Sequence, residues 1–409
     1  MIHIAILGHG VVGSGVVEVL EKNRAGIEKK AGDQINIKYI LDRRDFPELP
    51  YADKFVKDFD IIKNDDSVSV VVEVLGGVEP AFTFAKECLS RGKSVVTSNK
   101  ELVAAKGAQL LAMAAEKNCN FFFEASVGGG IPIIKPLHLC LGANEIHEIG
   151  GILNGTTNFI LTKMIRENMS FEEALALAQQ LGYAERNPSA DVDGLDACRK
   201  ICILASLAFG RHVYPDKVFT QGIRDITPED VAYAGSWGGI IKLIGRCKRL
   251  PDGRVMALVS PAFVSRESQL SGVDDVFNGI LVKGDATGDV VFYGKGAGKL
   301  PTASAVVSDV IDAIKATGTV ASLQWKDAGE DVLAPFESYP VTAYLRVRGK
   351  SPLPKLKVLF GDIRQLAPRG SGEVAFITPE MTEGELAAKV RALEENDISV
   401  LGLVRVLDY

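Results

Sequence analysis

The residues Leu7-Gly8-His9-Gly10-Val11-Val12-Gly13 place a glycine-x-glycine-x-x-glycine turn straight after an apolar run, Ile2–Leu7, and straight before a helix-like segment, Val11–Lys22. Few folds accommodate that order. The glycines allow a tight turn, a close backbone approach to a pyrophosphate and close helix–strand contact, while the helix N-terminus faces the phosphates. Gly8, Gly10, Val11, Val12 and Gly13 are therefore the first candidate cofactor contacts. An incidental glycine-rich turn is the competing reading, and the β-rich run that follows, Ile35–Leu41, counts against it.

The first third of the chain goes on alternating. Val68–Val74, Ser94–Thr97 and Phe121–Glu124 read as strands, and Ala81–Arg91 and Glu101–Lys117 as helices. That pattern predicts an α/β, Rossmann-type domain with a parallel sheet and helical crossovers. After Val127–Pro132 the reading loosens. Phe171–Leu181 is a helix opened by a Ser170/Glu173 capping box. Arg254–Val264 and Asp289–Tyr293 look like antiparallel strands, and Thr302–Ala316 like a long helix. Asp, Glu, Gly and Pro gather over Lys326–Tyr339 as in a linker. Strands at Thr342–Val347, Glu373–Ile377 and Ser399–Leu407, with an amphipathic helix at Glu383–Glu395, then outline a small ferredoxin-like module.

With 409 residues the chain exceeds what one core usually holds, about 250–300 residues, so two or three domains are expected. The expected division is 1–130 for the dinucleotide, completed by the helix near 302–320; 131–301 as an α+β substrate-binding and dimerisation domain; and 339–409 as a regulatory module. A net charge of −6 gives no support to a nucleic-acid partner. No apolar run approaches the about 20 residues of a membrane span. The chain opens directly on a strand-like MIHIAILG, which leaves no room for a signal peptide. A cytoplasmic protein is the expectation. The six cysteines form no C-x-x-C pair, and the five histidines are too dispersed for a readable zinc site. Cys198 and Cys202, four apart in an apolar helix, read as packing.

Asp42 stands at the end of the second strand, where an acidic residue would accept a free ribose hydroxyl; Arg43 and Arg44 follow at once, and arginine there would pair with a 2′-phosphate. Both signals are present, so NAD and NADP stay open. Further on, Glu73-Val74-Leu75-Gly76-Gly77 and Thr97-Ser98-Asn99-Lys100 end consecutive parallel strands, which puts Ser98 and Lys100 on the rim of the ligand crevice. A solvated lysine at a helix start is the plainer reading of Lys100.

The segment GYAERNPSADVDGLDACRK, residues 182–200, raises a different problem, because it runs directly into ICILASLAFG. Asp196 and Lys200 lie four apart, share one helix face and can pair. The helix continues apolar on nearly every side, so the pair sits at the edge of a buried segment, where it is expensive unless partnered. Buried, partnered ionisable groups are frequent at active sites. Carboxylates favouring a helix N-terminus would account for Asp191 and Asp193 but leave Lys200 unexplained.

Taken in order, GHGVVG, EVLGG, TSNK, EASVGGGIP, GILNGTTN, GYAERNPSADVDGLDACRK and GKGAGKLPTA resemble the homoserine dehydrogenases over nearly the whole chain. The resemblance implies reversible reduction of L-aspartate 4-semialdehyde to L-homoserine with NADP or NAD. It implies Lys200 as proton donor and acceptor, Lys100 beside the nicotinamide and reacting oxygen, and Asp196 as the residue orienting substrate and lysine. It further implies substrate contacts from Glu185, Tyr183 and Asp191, and cofactor contacts from Gly182 and Gly298. A monovalent cation, usually Na+, is implied at Glu124, Val127, Gly129 and Ile131. A homodimer or homotetramer is implied as well. The C-terminal module resembles an ACT domain, with threonine as its implied effector. It departs from that pattern at Val347-Arg348-Gly349-Lys350-Ser351-Pro352, where an acidic residue and a Pro-Gly turn are usual. An amino-acid dehydrogenase, a non-catalytic sensor and a semialdehyde-phosphate dehydrogenase are the alternatives; the last needs an activated cysteine that no motif supplies.

Overall fold

The computed structural model describes residues 1–321, 323, 325–327, 329, 332–367 and 372–407. The chain divides into two compact units. The first comprises Met1–Glu145, Cys202–Pro215 and Gly294–Gly329, and the second Ile146–Ile201, Asp216–Tyr293 and Glu330–Tyr409.

In the first unit, strands β1 (Ile2–Leu7), β2 (Ile35–Leu41), β3 (Phe55–Val56), β4 (Val68–Glu73), β5 (Ser94–Thr97) and β6 (Phe121–Phe122) form one sheet in the order β3-β2-β1-β4-β5-β6. Every pairing is parallel. Helices α1 (Val11–Lys22), α2 (Arg24–Ala31), α3 (Phe59–Lys63), α4 (Ala81–Ser90) and α5 (Lys100–Glu116) make the crossovers. The strand order reverses between β1 and β4, the switch point at which doubly wound sheets bind ligands. Phe121–Glu124, expected as one strand, is β6 for two residues only; a single tight helical turn, Glu124–Ser126, then takes the chain away from the sheet.

In the second unit, β7 (Ile146–Ile152) leads into α6 (Gly155–Glu167), α7 (Phe171–Gln180) and α8 (Ser189–Val192). The capping box of α7 is present as read. Helix α9 (Leu195–Phe209) gives its first seven residues to this unit and the rest to the other. Then come β8 (Phe219–Thr220), α10 (Pro228–Trp237), and the antiparallel β9 (Gly239–Arg249), β10 (Val255–Ser265), β11 (Phe277–Gly284) and β12 (Gly288–Lys295). The long helix α11 (Lys299–Lys315) returns to the first unit, where Ala303, Val306 and Val310 join Ile4, Ile6 and Val16 in one core.

The C-terminal residues form β13 (Pro340–Arg348), α12 (Pro352–Phe360), β14 (Arg364–Gln365), β15 (Glu373–Ile377), β16 (Met381–Thr382), α13 (Glu383–Glu394) and β17 (Ser399–Leu407). The order β17-β13-β15-β14 is that of a ferredoxin-like βαββαβ module. Among the described residues this module is joined to the strands before it. β17 pairs in parallel with β10, Ala262 opposite Arg405 and Val264 opposite Leu407. Among the described residues the result is one eleven-stranded sheet, β12-β11-β7-β9-β10-β17-β13-β15-β14 with β16 and β8 alongside. Of the linker-like stretch, residues 328, 330 and 331 lie outside the described residues. Ala334 and Tyr339 are buried with Met256 and Leu258, and the Ala334 amide donates to the Val255 carbonyl at 3.0 Å. Composition misled here because a few apolar residues anchor an otherwise polar segment.

Charge is buried along the same seam. Asp230 on α10 accepts from Tyr344 at 3.0 Å and Arg346 at 3.1 Å, and Arg346 also reaches Thr227 at 3.0 Å. Glu373 accepts from Tyr233 at 3.0 Å and lies 3.5 Å from Arg346. Burial, and then the Asp230 charge, push the Tyr344 hydroxyl far above the ordinary phenol range. Removing one partner strands the others: Arg346→Ala is expected to lower the unfolding free energy by roughly 3–5 kcal/mol in denaturant titrations. The exposed neighbour Arg348→Ala should stay within about 0.5 kcal/mol.

Candidate functional site

The cofactor half is built at the carboxyl ends of β1, β2, β4 and β5. Gly8 has φ +102°, and a Cβ on Gly13 would lie 2.0 Å from the Gly8 carbonyl oxygen, so α1 can start this close to β1 only without one. Gly10 is the residue immediately before α1, and Val11 and Val12 are its first turn. Beneath the turn, Glu73 is completely buried. It accepts from Thr97 Oγ1 at 2.6 Å and the Leu75 amide at 2.8 Å, and burial pushes its carboxyl above the usual range. Thr97 in turn accepts the Asn99 amide at 2.9 Å. Asn99 caps α5 through the Leu102 amide and donates to the Gly77 carbonyl at 2.6 Å. These bonds fix the two strand ends relative to each other, with Ser98 between them and Lys100 as the half-buried first residue of α5.

The basic corner differs from expectation. Asp42 is not open to a ribose: it accepts the His9 amide at 2.8 Å and the Arg44 guanidinium at 3.1 Å on each oxygen. The Arg44 hydrogen bonds hold its carboxyl well below the ordinary range. Arg44 also donates to the His9 carbonyl at 2.9 Å, so it clamps the glycine turn. Arg43 is exposed and makes no side-chain hydrogen bond or ion pair among the described residues. Lys57, which the sequence reading passed over, donates to the carbonyls of Arg43 at 3.0 Å and Arg44 at 2.6 Å. Both line a cavity of about 580 Å³ with Leu41, Phe59, Leu75 and Phe84. Nothing local in the sequence marks Lys57; only the parallel pairing of β2 with β3 brings it to that corner.

The loop from Glu124 to Ile131 is buried apart from Gly130. The Glu124 carboxylate accepts three amides, from Ile133 at 2.7 Å, Ile134 at 2.9 Å and Lys135 at 2.8 Å, and so has little left for a cation. The carbonyls of Val127, Gly129 and Ile131, by contrast, accept no hydrogen bond among the described residues. Buried carbonyls without donors fit a desolvated monovalent cation. No cluster of His, Cys, Asp and Glu able to hold a metal exists among the described residues. At the far side of the loop, Asp309 is fully buried and accepts the Glu124 amide at 2.8 Å; burial pushes its carboxyl up to about 7. Gly298, at φ +133°, precedes α11.

The second unit holds the Asp196–Lys200 pair. Lys200 Nζ donates to Asp196 at 2.7 Å and to the Leu153 carbonyl at 2.7 Å, with the lysine side chain 10% and the aspartate 5% exposed. The organiser is Asn154, a residue that the sequence reading quoted but gave no role. Its side-chain oxygen caps α6 by accepting the Thr157 amide at 2.8 Å. That orients the amide so its nitrogen donates to Asp191 at 2.7 Å and Asp196 at 2.8 Å. An asparagine followed three residues later by threonine was the available signal, as a helix start. Asp193, for which a helix-dipole role was the competing reading, binds Arg224. Gly182, at φ +76°, follows α7. Tyr183 packs edge-on against Phe159 at 5.0 Å and is 45% exposed. The Glu185 carboxylate is exposed and makes no hydrogen bond or ion pair among the described residues. The structure therefore gathers Asp191, Asp196 and Lys200 into one cluster, with Glu185 and Tyr183 on the exposed loop leading to it. Cys198 and Cys202 are buried and in no disulfide, as packing residues should be.

A switch-point phosphate turn in one unit and a buried, carboxylate-held lysine in the other define a nicotinamide-dependent oxidoreductase. Comparison with known proteins sharpens this. Residues 8–124 match the homoserine dehydrogenase NAD-binding domain and residues 132–311 the homoserine dehydrogenase domain. The homoserine dehydrogenase of Bacillus subtilis is 37% identical over 99% of this chain and 97% of its own length. That of Synechocystis is 44% identical over 76% of this chain and 73% of its own. The crystal structure of a homoserine dehydrogenase from Thiobacillus denitrificans superposes with a TM-score of 0.92 at 34% identity, covering 100% of this chain and 98% of that one. A hyperthermophilic archaeal homoserine dehydrogenase in complex with NADPH gives 0.65 at 29% identity, over 76% of this chain and 97% of that one. The chain belongs to the homoserine dehydrogenase family, oxidoreductases that act on a CH–OH group. Gly13→Ala should force α1 off its turn, at roughly 1–3 kcal/mol for overpacking. The expected outcome is dinucleotide binding weakened about tenfold or more in a fluorescence titration with NADPH; unchanged affinity would place the dinucleotide elsewhere.

Proposed function

We propose that Lys200 is the proton donor and acceptor in the interconversion of L-homoserine and L-aspartate 4-semialdehyde; its burial against Asp196 is the observation that carries the reading. When bound, the nicotinamide supplies or removes a hydride at the carbon bearing the reacting oxygen. In the reducing direction that oxygen gains a negative charge, and Lys200 Nζ delivers the proton that neutralises it. Asp196 and the Leu153 carbonyl hold the ammonium in one orientation, and Asn154 holds Asp196. Glu185 gives the substrate's α-ammonium a counter-charge, with Tyr183 and Asp191 closing the amino-acid end. On the cofactor side, Gly8, Gly10, Val11, Val12 and Gly13 take the pyrophosphate, Gly182 and Gly298 line its path, and Ser98 and Lys100 attend the nicotinamide end.

NADP is the proposed cofactor. Asp42 is already saturated, while Arg43 is exposed and lines the same cavity with a cationic end suited to a 2′-phosphate; beside it the Lys57 ammonium, held by the Arg43 and Arg44 carbonyls and by Asp45 at 2.7 Å, adds positive charge. The archaeal relative bound to NADPH agrees with this choice. The carbonyls of Val127, Gly129 and Ile131, with that of Glu124, are assigned to a Na+-sized cation that would brace the loop; no proton or hydride step passes through it. β12 ends the long sheet with Tyr293 57% exposed, which suits pairing with a second copy, as a homodimer or, with the module faces, a homotetramer. The C-terminal module is proposed as ACT-like, with threonine its candidate effector. Among the described residues no helix is long and apolar enough to cross a membrane.

Lys200→Met keeps the length and removes the transferable proton. Homoserine turnover should fall by ~10²-fold or more with NADP affinity nearly unchanged; turnover close to wild type would take Lys200 out of the mechanism. Replacing Arg43 and Lys57 together with serine should raise the KM for NADP by roughly 10-fold or more, as loss of charged hydrogen bonds implies, and leave that for NAD within about twofold. Equal losses for both cofactors would show that this corner does not discriminate.

A further inference from the structure

A short strap, residues 219–224, lies between the C-terminal module and the loop carrying Asp191. On the module side, the Arg405 guanidinium is 6% exposed and forms a bidentate pair with Glu383 at 2.6 and 3.0 Å. Its remaining nitrogen donates to Gln221 Oε1 at 2.8 Å. The same guanidinium lies over the rings of Phe219 at 4.6 Å and Phe336 at 5.6 Å, which stack on each other at 4.0 Å. The strap is also tied to β10, where the Gln221 amide donates to the Val259 carbonyl at 2.8 Å.

On the other side the strap touches the substrate loop with nothing between. A Cβ on Gly222 would lie 2.0 Å from the Val192 carbonyl oxygen, so backbone meets backbone. The Ile223 amide donates to that carbonyl at 2.8 Å. Arg224 pairs with Asp193 and reaches Ser189 Oγ at 3.2 Å. Ser189–Val192 is α8, which carries Asp191; Asp191 shares the Asn154 amide with Asp196, and Asp196 holds Lys200. Hydrogen bonds joined by short backbone segments therefore run from β17 through the strap and α8 to Lys200.

We propose that Gln221 is a positioning residue for substrate binding, and that Arg405 of the C-terminal module sets the placement of the Asp191 loop through it. The module is then part of what shapes the amino-acid site. This rests on the reading of that loop as the one that binds homoserine.

The test is steady-state kinetics of the full-length enzyme with homoserine and NADP varied separately. Gln221→Leu keeps the backbone bonds and removes the acceptor for Arg405. It should raise the KM for homoserine about three- to tenfold, the range of coupling through packed networks, and leave kcat and the KM for NADP within about twofold. Gln221→Glu keeps an acceptor and should restore the wild-type KM. Arg224→Gln, on an exposed side chain, tests the other end of the strap without touching the core and should raise the same KM. Unchanged homoserine KM in both Gln221→Leu and Arg224→Gln, or equal rises for both substrates, would overturn the proposal. Glu185→Gln separates the two layers of inference. If it raises homoserine KM while the strap variants do not, the loop binds substrate and the strap does not position it. If none of the three moves that KM, the substrate reading itself is at fault.

Discussion

An ammonium taken out of water must be met by partners already in place, and the second unit is arranged around that demand. Lys200 is 8% exposed. Its cost of burial is offset by one carboxylate and one backbone carbonyl, both at hydrogen-bond distance. Those partners come from different elements: Asp196 from the turn below on α9, Leu153 from the end of β7. Asn154 joins them, since one amide caps α6 with its oxygen and binds two carboxylates with its nitrogen. Capping therefore does more than start a helix. It decides which way the amide points, and so where the aspartates stand.

The cofactor half solves a different problem, that of bringing backbone close to a polyanion. Glycines at 8 and 13 remove the side chains that would stand in the way, and the buried Glu73–Thr97–Asn99 chain holds the neighbouring strand ends. Asp42 and Arg44 then serve the turn itself, one holding the His9 amide and the other the His9 carbonyl. The C-terminal module shows the same economy at larger scale. It continues the sheet through β10 and β17 and buries Arg346 and Arg405 in paired geometry, so the module and the strands before it share one continuous sheet.

Much of this was readable in the chain. The glycine turn, the alternating strands and helices, and the capping box at Ser170 are local patterns, set by neighbours a few residues apart, and the structure has them where they were read. The Asp196–Lys200 pair is likewise local, four residues on one helix. Resemblance of the motifs to one family then supplied the expected roles of the remaining site candidates. What the sequence could not decide was every contact made across the fold. Asp42 looked available and is saturated by Arg44; Lys57 carries no local signal and lines the cavity beside Arg43. Residues 332–339 looked like a linker and pack against β10. In each case the deciding partner lies on a different element, and side-chain commitments of that kind depend on sheet pairing and burial that no short window of sequence contains.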